Sequence, residues 1–315
     1  MTGVGDLQDP ASGTANAQVS KQESRQGGTA AAIALAGLDK AAAENFPVAL
    51  RVLPARYRTH LMALYGFARL TDDIGDEPLP GIPDATTADR LGLLDELEAD
   101  VHRIYAGTEM PRLAAIRTLE RTVAECGVPE QPFIDLIQAN RQDQVVARYQ
   151  TFDELVQYCT LSANPVGSVV LYIFGAHTAE RETLSDSICT ALQLAEHWQD
   201  VAEDLRNGRV YLPGEDLGRF GVTEGDLGQP TANRKVRDLM AFETERALSM
   251  LDSGARLIGT LKHGAARLAI AGYVAGGRAA LRAIADSGYD PLRATPHPDK
   301  KRTLSGMITS YVGGR

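Results

Sequence analysis

The stretch LTDDIGDEP, Leu70 to Pro78, constrains this chain more than any other. Four carboxylates, Asp72, Asp73, Asp76 and Glu77, crowd into six positions directly after an apolar run. In the preceding RTHLMALYGFARL, Leu61, Leu64, Tyr65 and Ala68 recur at spacings near 3.6 and Ile74 continues the stripe, which predicts an amphipathic helix with the acids at its end. Residues four apart stack on one helical face, aligning Asp72 with Asp76 and Asp73 with Glu77. Like charges at that spacing destabilise a bare helix. Pro78 disfavours helical geometry at Glu77, so the acids gather at a C-terminus, where the macrodipole already presents negative charge. A fold that contains this helix is expected to bring positive charge to its end.

A second cluster matches the first. In LQLAEHWQDVAEDLRNG, the residues Gln193, Glu196, Asp200 and Asp204 fall at spacings of three, four and four on one predicted helical face, and that helix stops at Asn207-Gly208. Taken singly, each cluster reads as a solvated acidic face. Each follows an apolar run, however, ALYGFARL in one case and ICTALQLA in the other, so each motif extends from a helix that a core would bury. Two acidic helix ends opposed in a bundle suit hard divalent cations that keep waters and bind substrate phosphate oxygens, with Mg²⁺ the natural candidate.

The rest of the chain supplies the bundle. DRLGLLDELEADVHRIYAG repeats the helical stripe and stops at Gly107. FDELVQYCTLSANPVGSVVLYIFGAH, LSDSICTALQLAEHWQDVAEDLRNG and RKVRDLMAFETERALSMLDSGARLI are each helix-length and apolar or amphipathic, and alternating strand patterns are almost absent. Pro/Gly/Asp clusters between Pro78 and Ala88 and between Val210 and Pro230 read as loops inside one domain, because similar helical composition resumes on either side. Residues 1–28, rich in Gly, Ser, Gln and Asp, have the composition of a disordered N-terminal tail. The expected organisation is a single all-α domain over 29–290, followed by a C-terminal extension over 291–315.

A net charge of -9 and no dense Lys/Arg stripe exclude an electrostatic nucleic-acid binder. Cys126, Cys159 and Cys189 are widely spaced and odd in number, which supports neither a disulfide framework nor a zinc site and points to a reducing cytoplasm. No signal-peptide pattern and no run of about 18 apolar residues is present, so any membrane contact is expected to be peripheral. No G-x-G-x-x-G follows a strand, and the histidines and Cys159 show no partner spacing for metal or nucleophilic chemistry.

With both motifs in place, the chain resembles the squalene/phytoene synthase family, the head-to-head isoprenoid synthases, over roughly residues 38 to 290. ENFPVALRVLP resembles the family's first core helix, LYGFARLTDDIGDE its first aspartate-rich motif, YCTLSANPVG its tyrosine-bearing helix, and ALQLAEHWQDVAEDLRNGRVYLP its second aspartate-rich motif with a trailing Arg-x-Tyr-Leu-Pro. ENFPVA, SANPVG and HWQDVAED look most like the branch that makes hydroxysqualene in hopanoid biosynthesis. The resemblance implies an isoprenoid synthase fold around a central apolar cavity, with Asp72, Asp76, Asp200 and Asp204 at the Mg²⁺ and diphosphate site. Glu196 is read as a further metal ligand or as added negative charge.

Arg69 matches a family arginine that contacts diphosphate, although from the residues alone a salt bridge to Asp72 or Asp73 fits equally well. Tyr158 matches a cavity tyrosine whose hydroxyl could relay a proton or whose ring could shelter a carbocation, against a plain core role. Phe46, Tyr65, Gln193, Arg209 and Tyr211 complete the expected substrate contacts, and Phe67, Tyr172, Phe174 and Trp198 are candidate cavity walls or ordinary core. The small residues of SANPVGSVV suit close approach of helices or of an isoprenoid chain.

The implied reaction is opening of presqualene diphosphate and capture by water, giving hydroxysqualene and diphosphate for hand-over to other squalene-pathway enzymes. Condensation of two prenyl diphosphates to presqualene diphosphate or phytoene is the sister alternative, and a non-catalytic helical protein binding cations or lipid head groups is the alternative of another class. Where condensing relatives carry a His-Ser-Lys-Ser-Phe-like segment, this chain has Ala42, Ala43, Glu44, Asn45 and Phe46. Where they usually carry Asn, it has Glu196. Both changes favour a substrate with one diphosphate. If the acids act as a metal site, Asp72→Asn and Asp200→Asn should each cost about 100-fold or more in turnover. Relief of like-charge repulsion should meanwhile hold or raise the melting temperature. Full activity in either variant, or in excess EDTA, would remove the assignment.

Overall fold

The first described helix shows how the apolar stripe is spent. In α1 (Ala55–Asp76) the buried apolar side chains are Tyr57, Leu61, Leu64, Phe67, Leu70 and Ile74, with Ala63 beside them. Tyr65 and Ala68, expected on that stripe, lie on its flank and are only half-buried. The computed structural model describes residues 53–76, 78–79, 82, 84–298, 306–307 and 309–311. The expected tail, the segment Ala42–Asn45, Phe46 and Glu77 lie outside the described residues.

After α1 come α2 (Thr87–Ala106), α3 (Ala114–Cys126), α4 (Gln131–Asp143), α5 (Phe152–Ser162) and α6 (Asn164–Ile173). The second half holds α7 (Ala179–Gln199), α8 (Val201–Arg206), α9 (Gly214–Phe220), α10 (Glu224–Leu227), α11 (Arg234–Gly254), α12 (Leu257–Thr260) and α13 (Gly264–Asp286). Among the described residues there is no strand; Leu79 and Ile82, and Arg148 and Val210, form isolated bridges. The all-α expectation holds.

Helix starts follow local chemistry. Thr86, Thr151 and Thr223 each form a capping box, with Asp89, Glu154 and Asp226 three residues on. Gly107 ends α2 in the left-handed conformation, as its position in the sequence predicts. Three expectations need correction. FDELVQYCTLSANPVGSVV is two helices, divided at Ala163, because Pro165 lacks the N–H that would continue the first. The stretch from Val210 to Pro230, read as loop, contains α9 and α10, short enough that their glycines mask any periodicity. The helix carrying the second acidic motif is broken at Asp200 (φ -103°, ψ 14°), which ends α7 and precedes α8.

α7 is the central strut, packed against α6, α11, α13 and α5, while α1 packs against α3, α4, α6 and α2. α6 touches α1 and α4 on one side and α7 on the other, and so joins the two halves. Gly167 permits that junction: a Cβ there would fall 2.4 Å from Ser185 Oγ and 2.5 Å from Cys189 Sγ of α7. Phe67, Phe133 and Trp198 are fully buried, the first two meeting edge to face at 5.1 Å. α13 is long and apolar enough to cross a bilayer, yet it packs on α7 and α11 and buries Ala269, Ile270, Val274 and Leu281. Beyond residue 290 the chain stays on the bundle: Leu292 is buried, and the Gln199 side chain donates to the Pro296 carbonyl.

α1 meets α4 closely at Gly75, where an added Cβ would lie 2.3 Å from Asn140 Oδ1. Asn140 is the residue that donates to Asp72. Gly75→Ala is therefore expected to cost about 1–3 kcal/mol by overpacking and to lower turnover by detaching Asn140. Thermal melts and steady-state assays read both effects, and a wild-type melt with wild-type turnover would show that the contact is not tight.

Candidate active site

The two acidic motifs, remote in sequence, meet at one cavity of about 260 Å³. α1 contributes Arg69, Asp72 and Asp76 to its lining. The α7–α8 segment contributes Gln193, Glu196, His197, Asp200 and Asp204. α4 adds Asn140 and Asp143, α5 adds Tyr158 and Ser162, and the strand-like segment after α8 adds Arg209 and Tyr211. Of the residues singled out from sequence, Tyr65 is not among the lining residues, because it sits on the flank of α1. Phe67 and Trp198 belong to the filled core.

Each end of α1 chemistry has a partner. Arg69 Nη2 lies 2.9 Å from the buried Asp73, one turn on, so the salt-bridge reading of Arg69 is realised with Asp73 while the guanidinium still borders the cavity. Arg209 Nη1 lies 2.7 Å from Asp76, and Asn140 Nδ2 donates to Asp72 Oδ1 at 3.3 Å. The last carbonyls of α1 are also bound, that of Ile74 by the Arg90 guanidinium and that of Gly75 by the Gln144 amide. These are the cationic and donor groups that a helix ending in acids requires.

On the opposite wall, Tyr211 stacks on His197 with ring centroids 3.7 Å apart, and Tyr149 and Tyr158 complete an aromatic cluster around them. Gln193 Nε2 approaches His197 Nε2 at 3.3 Å. The Tyr158 hydroxyl donates to Asp143 Oδ2 at 2.7 Å, while Asp143 Oδ1 and Ser162 Oγ are buried without a hydrogen-bond partner. A second cavity of about 320 Å³ shares Glu196 and Asp200 with the first and is walled by Leu192, Ala195, Gly276, Gly277 and Ala280, with His297 at its edge. Acid and apolar surface are therefore continuous.

Crowding shows in the electrostatics. Asp72 faces open space in the cavity yet is ringed by protein; this desolvation, with the charges of Asp76 and Glu196, pushes its carboxyl up to about 7 despite the Asn140 hydrogen bond. Burial and the neighbouring Asp200 push Asp204 to about 7 as well, and burial raises Asp200. Burial raises Asp143 to about 6, with the Tyr158 hydrogen bond working against it. Burial, helped by the charge of Arg209, pushes His197 down to about 3, so its ring is neutral at pH 7.

Asn140, Asp143, Ser162 and His197 were not singled out from the sequence as site residues. Asn140 and Asp143 carried a signal: two polar residues three apart on the apolar face of α4. His197 carried a weaker one, four residues after Gln193 on the same face. The oxygen-only donors, Asp72, Asp76, Glu196, Asp200 and Asp204, are the residues that could hold a metal, and their type fits a hard dication. Among the described residues, no three acidic, histidine or cysteine side chains converge tightly enough to enclose an ion unaided.

The geometry agrees with comparison to known proteins. The Squalene/phytoene synthase family model matches residues 39–305. A hydroxysqualene synthase of Rhodopseudomonas palustris is 35% identical over 220 residues, covering 70% of this chain and 72% of that protein. A phytoene synthase of Mycobacterium tuberculosis is 30% identical over 282 residues, covering 87% of this chain and 86% of that protein. The crystal structure of squalene synthase HpnC from Alicyclobacillus acidocaldarius superposes with a TM-score of 0.71 at 41% identity, covering 78% of this chain and 89% of that one. Two opposed acidic motifs on an all-α bundle and a family match across most of the sequence lead to one conclusion: this chain belongs to the squalene/phytoene synthase family of prenyl diphosphate enzymes.

Proposed function

We propose that this chain converts presqualene diphosphate and water to hydroxysqualene and diphosphate, with Mg²⁺ as cofactor. The observation that carries the reading is the charge balance of the cavity: among the described residues that line it, Asp72, Asp76, Asp143, Glu196, Asp200 and Asp204 face two arginines, Arg69 and Arg209, and both are already paired with acids. A site so poor in free cationic anchors suits one diphosphate better than two, which argues against condensation of two prenyl diphosphates. The 35% identical hydroxysqualene synthase supports the same choice.

The mechanism follows from placement. Asp72, Asp76, Glu196, Asp200 and Asp204 would hold Mg²⁺, which when bound offsets the charge gathering on departing diphosphate. Arg69 and Arg209 orient its oxygens. Tyr158, Tyr211 and the neutral His197 line the same cavity, and aromatic groups there would stabilise positive charge on carbon without reacting. Gly276 and Gly277, with the small side chains of Ala195 and Ala280 and with Leu192, line the adjoining cavity, where hydrocarbon would exclude bulk water. The free cysteines Cys126, Cys159 and Cys189 support a cytoplasmic setting, with membrane contact peripheral and the apolar product handed to the next enzyme of squalene biosynthesis.

Purified protein with Mg²⁺ is expected to release diphosphate and hydroxysqualene from presqualene diphosphate, without reductant, and to turn over farnesyl diphosphate alone poorly. Efficient formation of presqualene diphosphate or phytoene would assign it to a condensing activity, and no diphosphate release from any prenyl diphosphate would support the non-catalytic alternative.

Stability offers a second test. Because Asp72 and Asp204 are raised in the folded state to about 7 from 3.8, the metal-free fold keeps protons that the unfolded chain has lost. Its stability should fall as pH rises from about 4 to about 7. Mg²⁺ favours the ionised carboxylates, so the gain in melting temperature on adding it should be larger at pH 8 than at pH 5.5. Asp72→Asn should flatten the metal-free decline. A melting temperature indifferent to both pH and Mg²⁺ would count against the site.

A further inference from the structure

We infer that Asp143 receives the proton that water loses on capturing the carbocation, acting through the hydroxyl of Tyr158. The inference rests on the reaction proposed above. In that reaction the C–O bond to diphosphate breaks and its electron pair leaves with the diphosphate. A water oxygen forms the new C–O bond, and the resulting oxonium must lose one proton. The cavity therefore needs an acceptor on the side where water arrives.

Tyr158 supplies the relay. Tyr158 and its partner Asp143 both line the cavity, the hydroxyl proton is committed to Asp143 Oδ2 at 2.7 Å, and the hydroxyl oxygen keeps lone pairs as acceptors. A proton taken up by that oxygen from the oxonium moves the original hydroxyl proton on to Asp143, leaving Tyr158 neutral and Asp143 protonated. No oxidant or second substrate is needed.

The surroundings single out Asp143 as the end of the relay. Tyr158 and Ser162 face this part of the cavity from α5, Asp76 from α1, and Arg209 and Tyr211 from the segment after α8; Tyr149 packs on the Tyr158 and Tyr211 rings. Arg209 reaches the Asp143 backbone carbonyl at 3.4 Å and pairs its other terminal nitrogen with Asp76. The Asp143 Oδ1 atom is buried without a hydrogen-bond partner, so the carboxyl has capacity to hold a proton. Burial also makes this carboxylate a stronger base than an exposed aspartate. His197, the other candidate, is stacked on Tyr211 and held neutral by its surroundings, which makes it a poor acceptor. The acids of the two motifs are committed to the diphosphate end.

The test measures hydroxysqualene formed per diphosphate released from presqualene diphosphate with Mg²⁺, in wild type, Asp143→Asn, Asp143→Glu and Tyr158→Phe, each checked by thermal melt. Asparagine can still accept the Tyr158 hydrogen bond but cannot take the proton. Asp143→Asn and Tyr158→Phe are expected to lower the ratio alike, by about tenfold or more, with non-hydroxylated products making up the difference, and Asp143→Glu should recover part of it. A wild-type ratio in Asp143→Asn overturns the inference, including the case in which alcohol and diphosphate fall together, which would make Asp143 merely structural. Should Asp143→Asn not fold, a wild-type ratio in Tyr158→Phe overturns it instead. Failure of the wild type to release diphosphate would defeat the substrate reading itself, and the control reaction shows that separately.

Discussion

The end of α1 is the point on which the rest of the structure depends. A helix that closes in acids opposes its own macrodipole, and it persists only if other elements deliver positive charge and donors to it. Here they come from four places: Arg90 on α2 and Gln144 beyond α4 bind its last carbonyls, Arg209 after α8 pairs with Asp76, and Asn140 on α4 holds Asp72. The contacts that satisfy the end of the first motif are consequently also contacts of the site. The groups that neutralise the helix end are those that bring α4 and the second motif up to it.

The second motif solves a related problem differently. Asp200 leaves helical geometry, ending α7 and preceding α8, while Glu203 and Asp204 amides still bond back to its carbonyl. The break keeps the acids on one side of the cavity while the chain turns toward Arg209 and Tyr211, which stacks on His197. α7 can carry this load because it is clasped along its length, with α6 close enough that Gly167 has no room for a Cβ. Burial, with the charges of neighbouring acids added to it, raises Asp72 and Asp204, a cost carried by the metal-free protein.

Much of the fold was legible because helices announce themselves locally. The glycine after α2 and the 3.6-residue stripes are properties of a few adjacent residues, and they appear where the pattern places them. The misreadings were local too. Ala163 and Asp200 interrupt segments whose composition stays helical, and α9 and α10 are too short for periodicity to register. Within the site, the acids of both motifs could be picked out because charge is conspicuous beside apolar runs, whereas Tyr158 was marked by the family resemblance, since a lone tyrosine in an apolar helix looks like core. Asn140, Asp143 and His197 were not picked out, since a polar residue on a buried face has the same appearance whether it points at a ligand or at another helix.

By itself the sequence determined an all-α chain and two acidic helix ends extending from buried helices, because helix periodicity and charge spacing are written along the chain, and the wording of its motifs carried the resemblance to a family. Tertiary structure alone decided which partner each charge takes. It gave Arg69 to Asp73, Arg209 to Asp76 and the Tyr158 hydroxyl to Asp143, and it moved Tyr65 off the cavity that Tyr211 and His197 line together. The physical reason is range. Helix formation depends on neighbours within four residues, whereas a hydrogen bond or ion pair depends on a separation of about 3 Å, and only the packed arrangement of distant helices sets that.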